Sequence, residues 1–179
     1  MNNKTSLFPP FIEDACCFSS CSHEQTGYER HFFITPKTLL KSVQKLDSLG
    51  YYLEDIVASQ VKEGFLLVYH FNHWETPGRL VLRVLLTEGK KEVESISSVY
   101  PGALWHEREC YDFFGIIFKN HPNLIPLLLD PENPIDPPLL KPENKKKDLY
   151  QLLPACEQVL QHPRDEELSN YLIECSKKG

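Results

Sequence analysis

Two strand-length apolar runs, separated by a short polar stretch, constrain the fold of this chain more than any other feature. Residues 64–71 and 79–87 are rich in Val, Leu, Tyr and Phe, residue types that pleated sheets favour. The stretch between them, 72–78, begins with Asn and ends with Gly, and it is long enough for a hairpin loop. The sequence therefore predicts two strands joined by a hairpin connection.

A helix precedes these strands, and shorter strands flank them. Thr35 is a candidate N-cap, Pro36 suits a first helical turn, and Gly50 is a stop signal. Between them lies a helical stripe formed by Leu39, Leu40, Val43, Leu46 and Leu49. Further strands are predicted at 52–59 and 93–98. One helix followed by sequential strands favours an α+β fold, with a small antiparallel sheet of about four strands packed with helices.

A second helix is predicted at 103–114 and should end at Gly115. Helical spacing gives it an apolar face made of Cys110, Phe113, Phe114 and Ile117. The opposite face carries Trp105, Arg108, Glu109 and Asp112. The first set is expected to enter the core, and the second is expected to face solvent or a partner.

Changes in composition divide the chain into four segments. Residues 1–30 mix Pro, Ser, Cys and Gly without periodicity and are predicted to be an N-terminal extension. Residues 31–130 are predicted to form the domain, and 131–147 a linker rich in Pro and Lys. Residues 148–179 are predicted to form two amphipathic helices. One contains Cys156, Val159 and Leu160, and the other contains Leu168, Tyr171, Leu172 and Cys175.

Charge and hydropathy exclude several kinds of partner. The formal net charge is −6, whereas a groove for nucleic acid normally carries a basic surplus. An acidic surface also gives no reason to expect binding to anionic lipid headgroups. No apolar stretch approaches the roughly 20 residues of a membrane-spanning helix, and the first ten residues carry no apolar signal core. We expect a cytoplasmic protein that attaches to a membrane only through partners.

Six cysteines stand in the chain, and without a secretion signal they are expected to be reduced thiols. The one spacing that resembles a metal site joins Cys16, Cys17 and Cys21 with His23. It contains no Cys-x2-Cys pair, and no second cluster follows at zinc-finger distance. A small Cys/His metal-binding protein is therefore an alternative interpretation, and the expectation is that this chain binds neither a metal nor another cofactor.

The helix at 103–114 contains the chain's main candidates for chemistry. Its segment His106-Glu107-Arg108-Glu109-Cys110 resembles the zinc-protease H-E-x-x-H helix, but Cys110 replaces the second imidazole ligand. Two carboxylates suited to acid–base catalysis would need to face one substrate cleft. Arg108 and Asp112 have the i, i+4 spacing of an ion pair instead. Because no nucleophile or complete ligand set is apparent, we expect no catalytic residues.

Two interpretations of this polar face remain open. A solvated, salt-bridged face is the common interpretation of such a pattern. Trp105, however, shares the face with Arg108 and two acids, and Trp and Arg concentrate binding energy at protein interfaces. His121 stands directly before Pro122, so its imidazole is expected to bond backbone groups in a turn.

Residues 100–124 resemble the hallmark of the 30 kDa subunit of respiratory complex I, which in bacteria is the C subunit of NADH:quinone oxidoreductase. The family pattern W-x-E-R-E-x-x-D-φ-φ-G-I-x-F-x-x-H-P-x-L, with φ apolar, matches without a gap from Trp105 to Leu124. The resemblance extends over about residues 31–130. This chain departs from the family in having Ile125 and Pro126 where basic residues usually follow, and in its segment 131–147.

The resemblance implies a scaffold subunit that binds no cofactor itself. It implies docking on the large hydrogenase-like subunit near the quinone site, in the hydrophilic arm of a proton-translocating complex on the cytoplasmic face of the inner membrane. NAD, FMN, iron–sulfur clusters and quinone are expected elsewhere in that complex. The equivalent subunit of a membrane-bound energy-converting [NiFe] hydrogenase is the nearest alternative. The expected interface residues are Trp105, Glu107, Arg108, Glu109, Asp112, Gly115, His121 and Pro122.

Overall fold

The computed structural model describes residues 15–75, 78–87, 89–152 and 158–161. The strands in these residues are Ala15–Ser20 (β1), Arg30–Ile34 (β2), Tyr51–Val61 (β3), Gly64–His73 (β4), Leu80–Thr87 (β5), Glu92–Glu94 (β6), Ile117–Lys119 (β7) and Gln158–Gln161 (β8). The α-helices are His23–Thr26 (α1), Leu39–Ser48 (α2) and Ala103–Phe114 (α3). Two 3-10 turns follow at Glu143–Lys145 and Leu149–Leu152.

The main sheet has the strand order β3-β4-β5-β2-β1-β8. Its neighbouring strands are antiparallel except β2 and β5, which are parallel. The predicted α+β class is confirmed, but the sheet is mixed where an antiparallel one was expected. The fourth strand beside β3, β4 and β5 is β2, whose Phe32, Phe33 and Ile34 are all buried. A strand covered on both faces loses the apolar–polar alternation by which strands are recognised.

Both outer strands beyond β2 lie where the sequence predicted no strand. β1 lies inside the segment predicted as an N-terminal extension, and it pairs with β2 through a register shift between Ala15 and Cys17. β8 pairs with β1 and contains Val159 and Leu160, which had been assigned to a helix, so that assignment is wrong. The other residues predicted to be helical there, Cys156, Leu168, Tyr171, Leu172 and Cys175, lie outside the described residues.

Helix α2 begins later than the sequence predicted. Thr35 and Pro36 belong to a preceding turn, in which the Thr35 and Thr38 hydroxyls lie 3.1 Å apart, and the helix starts at Leu39 with Thr38 as its N-cap. The predicted stop at Gly50 is confirmed, with a backbone φ of 83°. The buried side chains of α2 include Leu39, Val43 and Leu46.

The strand predicted at 93–98 is shorter and lies in another sheet. β6 pairs in parallel with β7, where Val93 lies beside Phe118, and this pair is separate from the main sheet. After β6 the chain turns, because Ser95 and Ile96 donate hydrogen bonds to a carboxylate of helix α3. The segment 93–98 is therefore mainly the lead-in to that helix.

Helices α2 and α3 pack on one face of the sheet against β3. The largest core cluster there contains Phe32, Ile34, Leu67, Tyr69, Phe71, Leu82, Val84, Leu86 and Phe114, with the apolar residues of α2. The second face buries Phe33 and Leu66 under Leu149, together with Val81 and Arg83. Alternate residues of each strand point to opposite faces of the sheet. Because both faces are covered, β4 and β5 carry apolar residues on both of them.

The segment predicted as a linker follows the sheet edge instead of leaving the domain. It is irregular as expected, but Lys141 N–H donates to the Gln60 side chain at 2.6 Å and Lys62 N–H donates to the Lys147 carbonyl at 3.1 Å. Glu63 accepts a hydrogen bond from Leu149 N–H at 3.0 Å. These contacts cover one end of the long edge strand β3, which reduces the unpaired backbone that an edge exposes. None of the helices in the described residues combines the length and apolar character needed to cross a bilayer.

The turn at Gly50 provides a test of how tightly α2 is joined to β3. Gly50 has positive φ, and a Cβ there would lie 2.9 Å from Nε2 of His73, which contacts the Leu49 carbonyl oxygen at 2.8 Å. Gly50→Ala is expected to lower the free energy of unfolding by about 2 kcal/mol, because left-handed backbone strain adds to a steric contact. Chemical denaturation measures this difference.

Gly89→Ala is the matched control, since Gly89 has φ of 86° and nothing within 4 Å of its would-be Cβ. That variant should lose only the backbone contribution, about 1 kcal/mol. Equal losses in both variants would contradict the proposed contact between position 50 and His73.

Candidate interaction site on helix α3

Helix α3 occupies the predicted residues 103–114 and ends at Gly115, whose φ is 69°. The left-handed C-cap suits glycine, which has no Cβ to clash with the preceding turn. One predicted face enters the core through Cys110 and Phe114. Phe113 is only half-buried, and Ile117, in β7, is exposed. The polar residues of α3 differ more from the prediction, because Glu107 and Asp112 are buried.

Glu107 is fully buried, although the family resemblance implied an interface residue. Its carboxylate accepts a hydrogen bond from the Ser95 hydroxyl at 2.6 Å and another from Ile96 N–H at 2.8 Å. Burial raises the pKa of Glu107 to about 7, against the opposing effect of these two hydrogen bonds. Glu107 therefore fixes the lead-in segment to the helix from inside the domain.

His121 lies beside Glu107 and confirms the predicted backbone-bonding role. Its Nδ1 accepts a hydrogen bond from Asn123 N–H at 3.0 Å, which places the ring proton on Nε2. Nε2 then donates to the Leu104 carbonyl at 3.2 Å and lies 4.0 Å from Glu107 Oε2. The following Pro122 is exposed. The imidazole thus joins the turn after β7 to the first turn of α3.

Asp112 is also buried, so its assignment to the outward face is wrong. One oxygen, Oδ2, accepts three backbone hydrogen bonds, from Leu127 at 2.9 Å, Leu128 at 2.7 Å and Leu129 at 3.1 Å. Three converging N–H groups form an anion-binding nest around this carboxylate. Asp112 therefore holds residues 127–129 over α3.

Arg108 binds the same segment and does not form the ion pair predicted with Asp112. Its Nε donates to the Ile125 carbonyl at 2.8 Å and Nη2 donates to the Pro126 carbonyl at 2.5 Å. Arg108 therefore binds the carbonyl groups of residues 125 and 126, and Asp112 binds the N–H groups of residues 127–129. We call Arg108 and Asp112 the α3 clamp. The predicted ion pair between Arg108 and Asp112 is therefore replaced by hydrogen bonds to the backbone of residues 125–129.

The outer surface of the clamp is apolar. Trp105 is 62% exposed, and the Arg108 guanidinium lies over its ring at 5.6 Å from the centroid. Ile125 and Leu128, in the clamped segment, are 52% and 66% exposed. We call Trp105, Arg108, Ile125 and Leu128 the Trp105 surface. Glu109 is exposed on the same helix, so among the expected interface acids only this one is free to meet a partner.

The residues that resembled a zinc-protease helix have different partners. His106 Nδ1 lies 3.2 Å from Asp55, whereas the Cys110 thiol points into the core and donates to the Ile56 carbonyl at 3.9 Å. Burial raises the pKa of Cys110 to about 12, so the thiolate needed for metal binding or nucleophilic attack is disfavoured. In the described part of the chain, no three His, Cys, Asp or Glu residues are grouped to hold a metal ion; the side chains of Cys16 and Cys17 lie outside it.

Sequence reasoning missed Ser95 and Tyr69 as neighbours of Glu107. Ser95 and Ser97 are hydrogen-bonded at 2.7 Å, and a Ser-x-Ser pair before a helix is a turn signal that competes with the strand interpretation. Tyr69 gave no signal, because its position in an apolar strand is typical of core. Its buried hydroxyl has no hydrogen-bond partner among the described residues. Burial, with Glu107 and Cys110 nearby, raises its pKa well above the ordinary value.

Comparison with known proteins identifies the family to which this arrangement belongs. The model of the respiratory-chain NADH dehydrogenase 30 kDa subunit matches residues 32–148. This chain belongs to that family. The match begins within β2, continues through β7, and includes helix α3 with its clamp and the segment predicted as a linker.

Curated relatives in the family include the C subunit of NADH-quinone oxidoreductase from Citrifermentans bemidjiense, which is 34% identical over 119 residues, covering 63% of this chain and 74% of the relative. The C subunit of the F(420)H(2) dehydrogenase from Methanosarcina mazei is 48% identical over 62 residues, covering 35% and 39%. The C/D subunit of the Buchnera aphidicola NADH-quinone oxidoreductase is 42% identical over 77 residues, covering 43% and 13%. The chain thus spans less than half of the last two relatives.

A solved structure supports the same fold. A chain from the membrane-bound sulfane sulfur reductase, an archaeal respiratory membrane complex, aligns with a TM-score of 0.53 at 24% sequence identity. The alignment covers 57% of this chain and 65% of that one. At this identity the likeness concerns the fold alone.

Proposed function

We propose that this chain is a cofactor-free scaffold subunit in the hydrophilic arm of a complex I-type oxidoreductase. In this role the α3 clamp presents the Trp105 surface to a partner subunit, and the redox chemistry takes place in other chains. The observation that carries the proposal is that Arg108 and Asp112 fix residues 125–129 from within, while Trp105, Ile125 and Leu128 remain exposed. A rigid apolar patch with an aromatic anchor is typical of an interface hot spot.

The partner proposed for this surface is the large hydrogenase-like subunit, near the quinone site. Support comes from the names of the relatives, which are subunits of NADH-quinone oxidoreductases. NAD, FMN, iron–sulfur clusters and quinone would then bind to other subunits. The buried thiol of Cys110 and the carboxylates engaged in internal hydrogen bonds are consistent with a structural role for α3.

The complex would hold this chain peripherally on the cytoplasmic face of the inner membrane. The relatives' NADH-quinone oxidoreductases and the structural neighbour, a respiratory membrane complex, support membrane attachment through partners. We expect alkaline carbonate to release the chain from native membranes together with its partners.

A second candidate function is the equivalent subunit of a related energy-converting complex, including membrane-bound [NiFe] hydrogenases, with an electron donor other than NADH. The specific observation in its favour is the 48% identity to an F(420)H(2) dehydrogenase subunit. The Trp105 surface would serve the same docking role in either complex, so the two candidates differ in the identity of the other subunits.

Trp105→Ala is expected to weaken docking about 30-fold, which corresponds to about 2 kcal/mol, because a central Trp anchor typically contributes this much. The measurement is recovery of partner subunits with the tagged chain from native membranes, with mass spectrometry to identify them. The melting temperature of the isolated variant should remain close to that of the wild type, since the ring is largely exposed.

Trp74→Ala is the matched control. Trp74 is 79% exposed and packs on Tyr52 at 4.2 Å between ring centroids, away from the α3 clamp. It should leave partner recovery unchanged. Full recovery of partners with Trp105→Ala would refute the docking role, and the identity of the recovered subunits separates the two candidate complexes.

A further inference from the structure

A groove lies beside the Trp105 surface, between helix α3 and residues 126–137. Its volume is about 330 Å³, which is at the lower end of the range of small-molecule pockets. Most of its wall is apolar, since four prolines line it together with Leu129 and Ile135. Leu129 directly follows Leu128 of the Trp105 surface. A partner that covers that surface would therefore also meet the groove.

The charged residues that line the groove are both acidic, Asp112 and Asp130. Asp112 is only 4% exposed, and its Oδ2 is occupied by the three N–H groups of residues 127–129. Its other oxygen, Oδ1, accepts no hydrogen bond from the residues that the structure describes, and no lysine, arginine or histidine among them pairs with this carboxylate. Arg108 binds backbone carbonyls instead. The groove therefore offers a carboxylate oxygen with no cation beside it.

We infer that this groove takes a lysine side chain of the partner subunit, with its ammonium at Oδ1 of Asp112; the inference rests on the proposed docking function. Lysine buries its aliphatic stem along apolar surface while its charge stays at a polar group, and the proline wall suits such a stem. Asp130, at the exposed side of the groove, adds a second negative charge that attracts the ammonium.

The state of Asp112 favours lysine over arginine. A guanidinium matches a carboxylate best through two parallel hydrogen bonds, one to each oxygen. Because Oδ2 already accepts three hydrogen bonds, only Oδ1 is available. An ammonium is a compact charge that a single oxygen can bind.

The test places opposite charges at Ile135, which lines the groove and is 62% exposed. Partner subunits are recovered from native membranes with a tagged chain that replaces the wild type, and mass spectrometry quantifies them. Ile135→Lys should lower recovery about tenfold, because like charges at an interface strongly disfavour association. Ile135→Glu should keep at least the wild-type recovery. Both isolated variants should melt close to the wild-type temperature, since the position is exposed.

The same two charges at Gln25 provide the control for net charge. Gln25 is exposed in α1 and does not line the groove, so Gln25→Lys and Gln25→Glu should recover partners equally. Asp130→Asn is a second, milder variant that decides the question if Ile135→Lys melts early. It removes one of the two charges of the groove at an exposed position, and recovery should fall about threefold.

Three outcomes would overturn the inference. Equal losses in the two Ile135 variants would mean that an apolar segment covers the groove, and a larger loss in Ile135→Glu would mean that the partner brings an acid. Wild-type recovery in both variants and in Asp130→Asn would mean that no partner side chain enters the groove. In each case a loss of partners with Trp105→Ala leaves the proposed docking function standing, whereas full recovery with Trp105→Ala refutes that function itself.

Discussion

Replacing Asp112 by alanine is expected to lower the free energy of unfolding by about 4 kcal/mol, the largest effect of any single substitution proposed for this chain. The variant leaves the N–H groups of Leu127, Leu128 and Leu129 without their acceptor. Each buried donor that loses its partner costs about 1–3 kcal/mol, and water entering the opened nest offsets part of the sum. Urea denaturation of the isolated chain measures the loss.

Asp112→Asn separates charge from shape at the same position. The amide oxygen can occupy the place of Oδ2 and accept from all three N–H groups, but it carries no negative charge. The charge-assisted part of these hydrogen bonds is lost, so an intermediate loss of about 2 kcal/mol is expected. Glu109→Ala is the control, because Glu109 is an exposed acid on the same helix and should change stability by less than about 0.5 kcal/mol. A small loss in Asp112→Ala would mean that residues 127–129 are held by packing alone.

The clamp explains why helix α3 was predictable while the role of its polar residues was not. Periodicity and the Gly115 stop fix the helix, since both are local properties of the sequence. The burial of Asp112 depends on residues 127–129 lying across it, fifteen to seventeen positions later. Helical spacing identifies which residues share a face, but it does not reveal which later segment covers that face.

The same reasoning applies to the sheet. Strands β3, β4 and β5 are long and were predicted close to their bounds, because they are joined by antiparallel connections to sequence neighbours. The parallel pairing of β2 with β5 bridges about fifty residues, and neither strand's composition specifies it. β1 and β8 are short and lie at the far end of the sheet, so their strand state depends mainly on pairing with each other and with β2.

The stability of the domain is expected to fall as pH rises through neutrality, because of Glu107. Its pKa is about 7 in the folded chain and has an ordinary value of 4.5. Between these values the folded state holds a proton that the unfolded state has released, so the free energy of unfolding decreases with increasing pH. The contribution is fully present below about pH 4.5 and is lost as pH passes 7. The difference corresponds to about 3 kcal/mol.

Glu107→Gln should remove this dependence. The amide oxygen still accepts from Ile96 N–H, and the amide nitrogen can donate to the Ser95 hydroxyl, so both positions bonded by Glu107 keep a partner. The variant is expected to match wild type at acidic pH and to exceed its stability by about 3 kcal/mol above pH 7, where the buried carboxylate is ionised. Urea denaturation at a series of pH values from about 5 to 8, with equal ionic strength, gives the two curves.

Glu109→Gln is the control for this series, since it changes the same functional group at an exposed position two residues away. It should follow the wild-type curve. If wild type and Glu107→Gln run parallel across the series, Glu107 is ionised throughout.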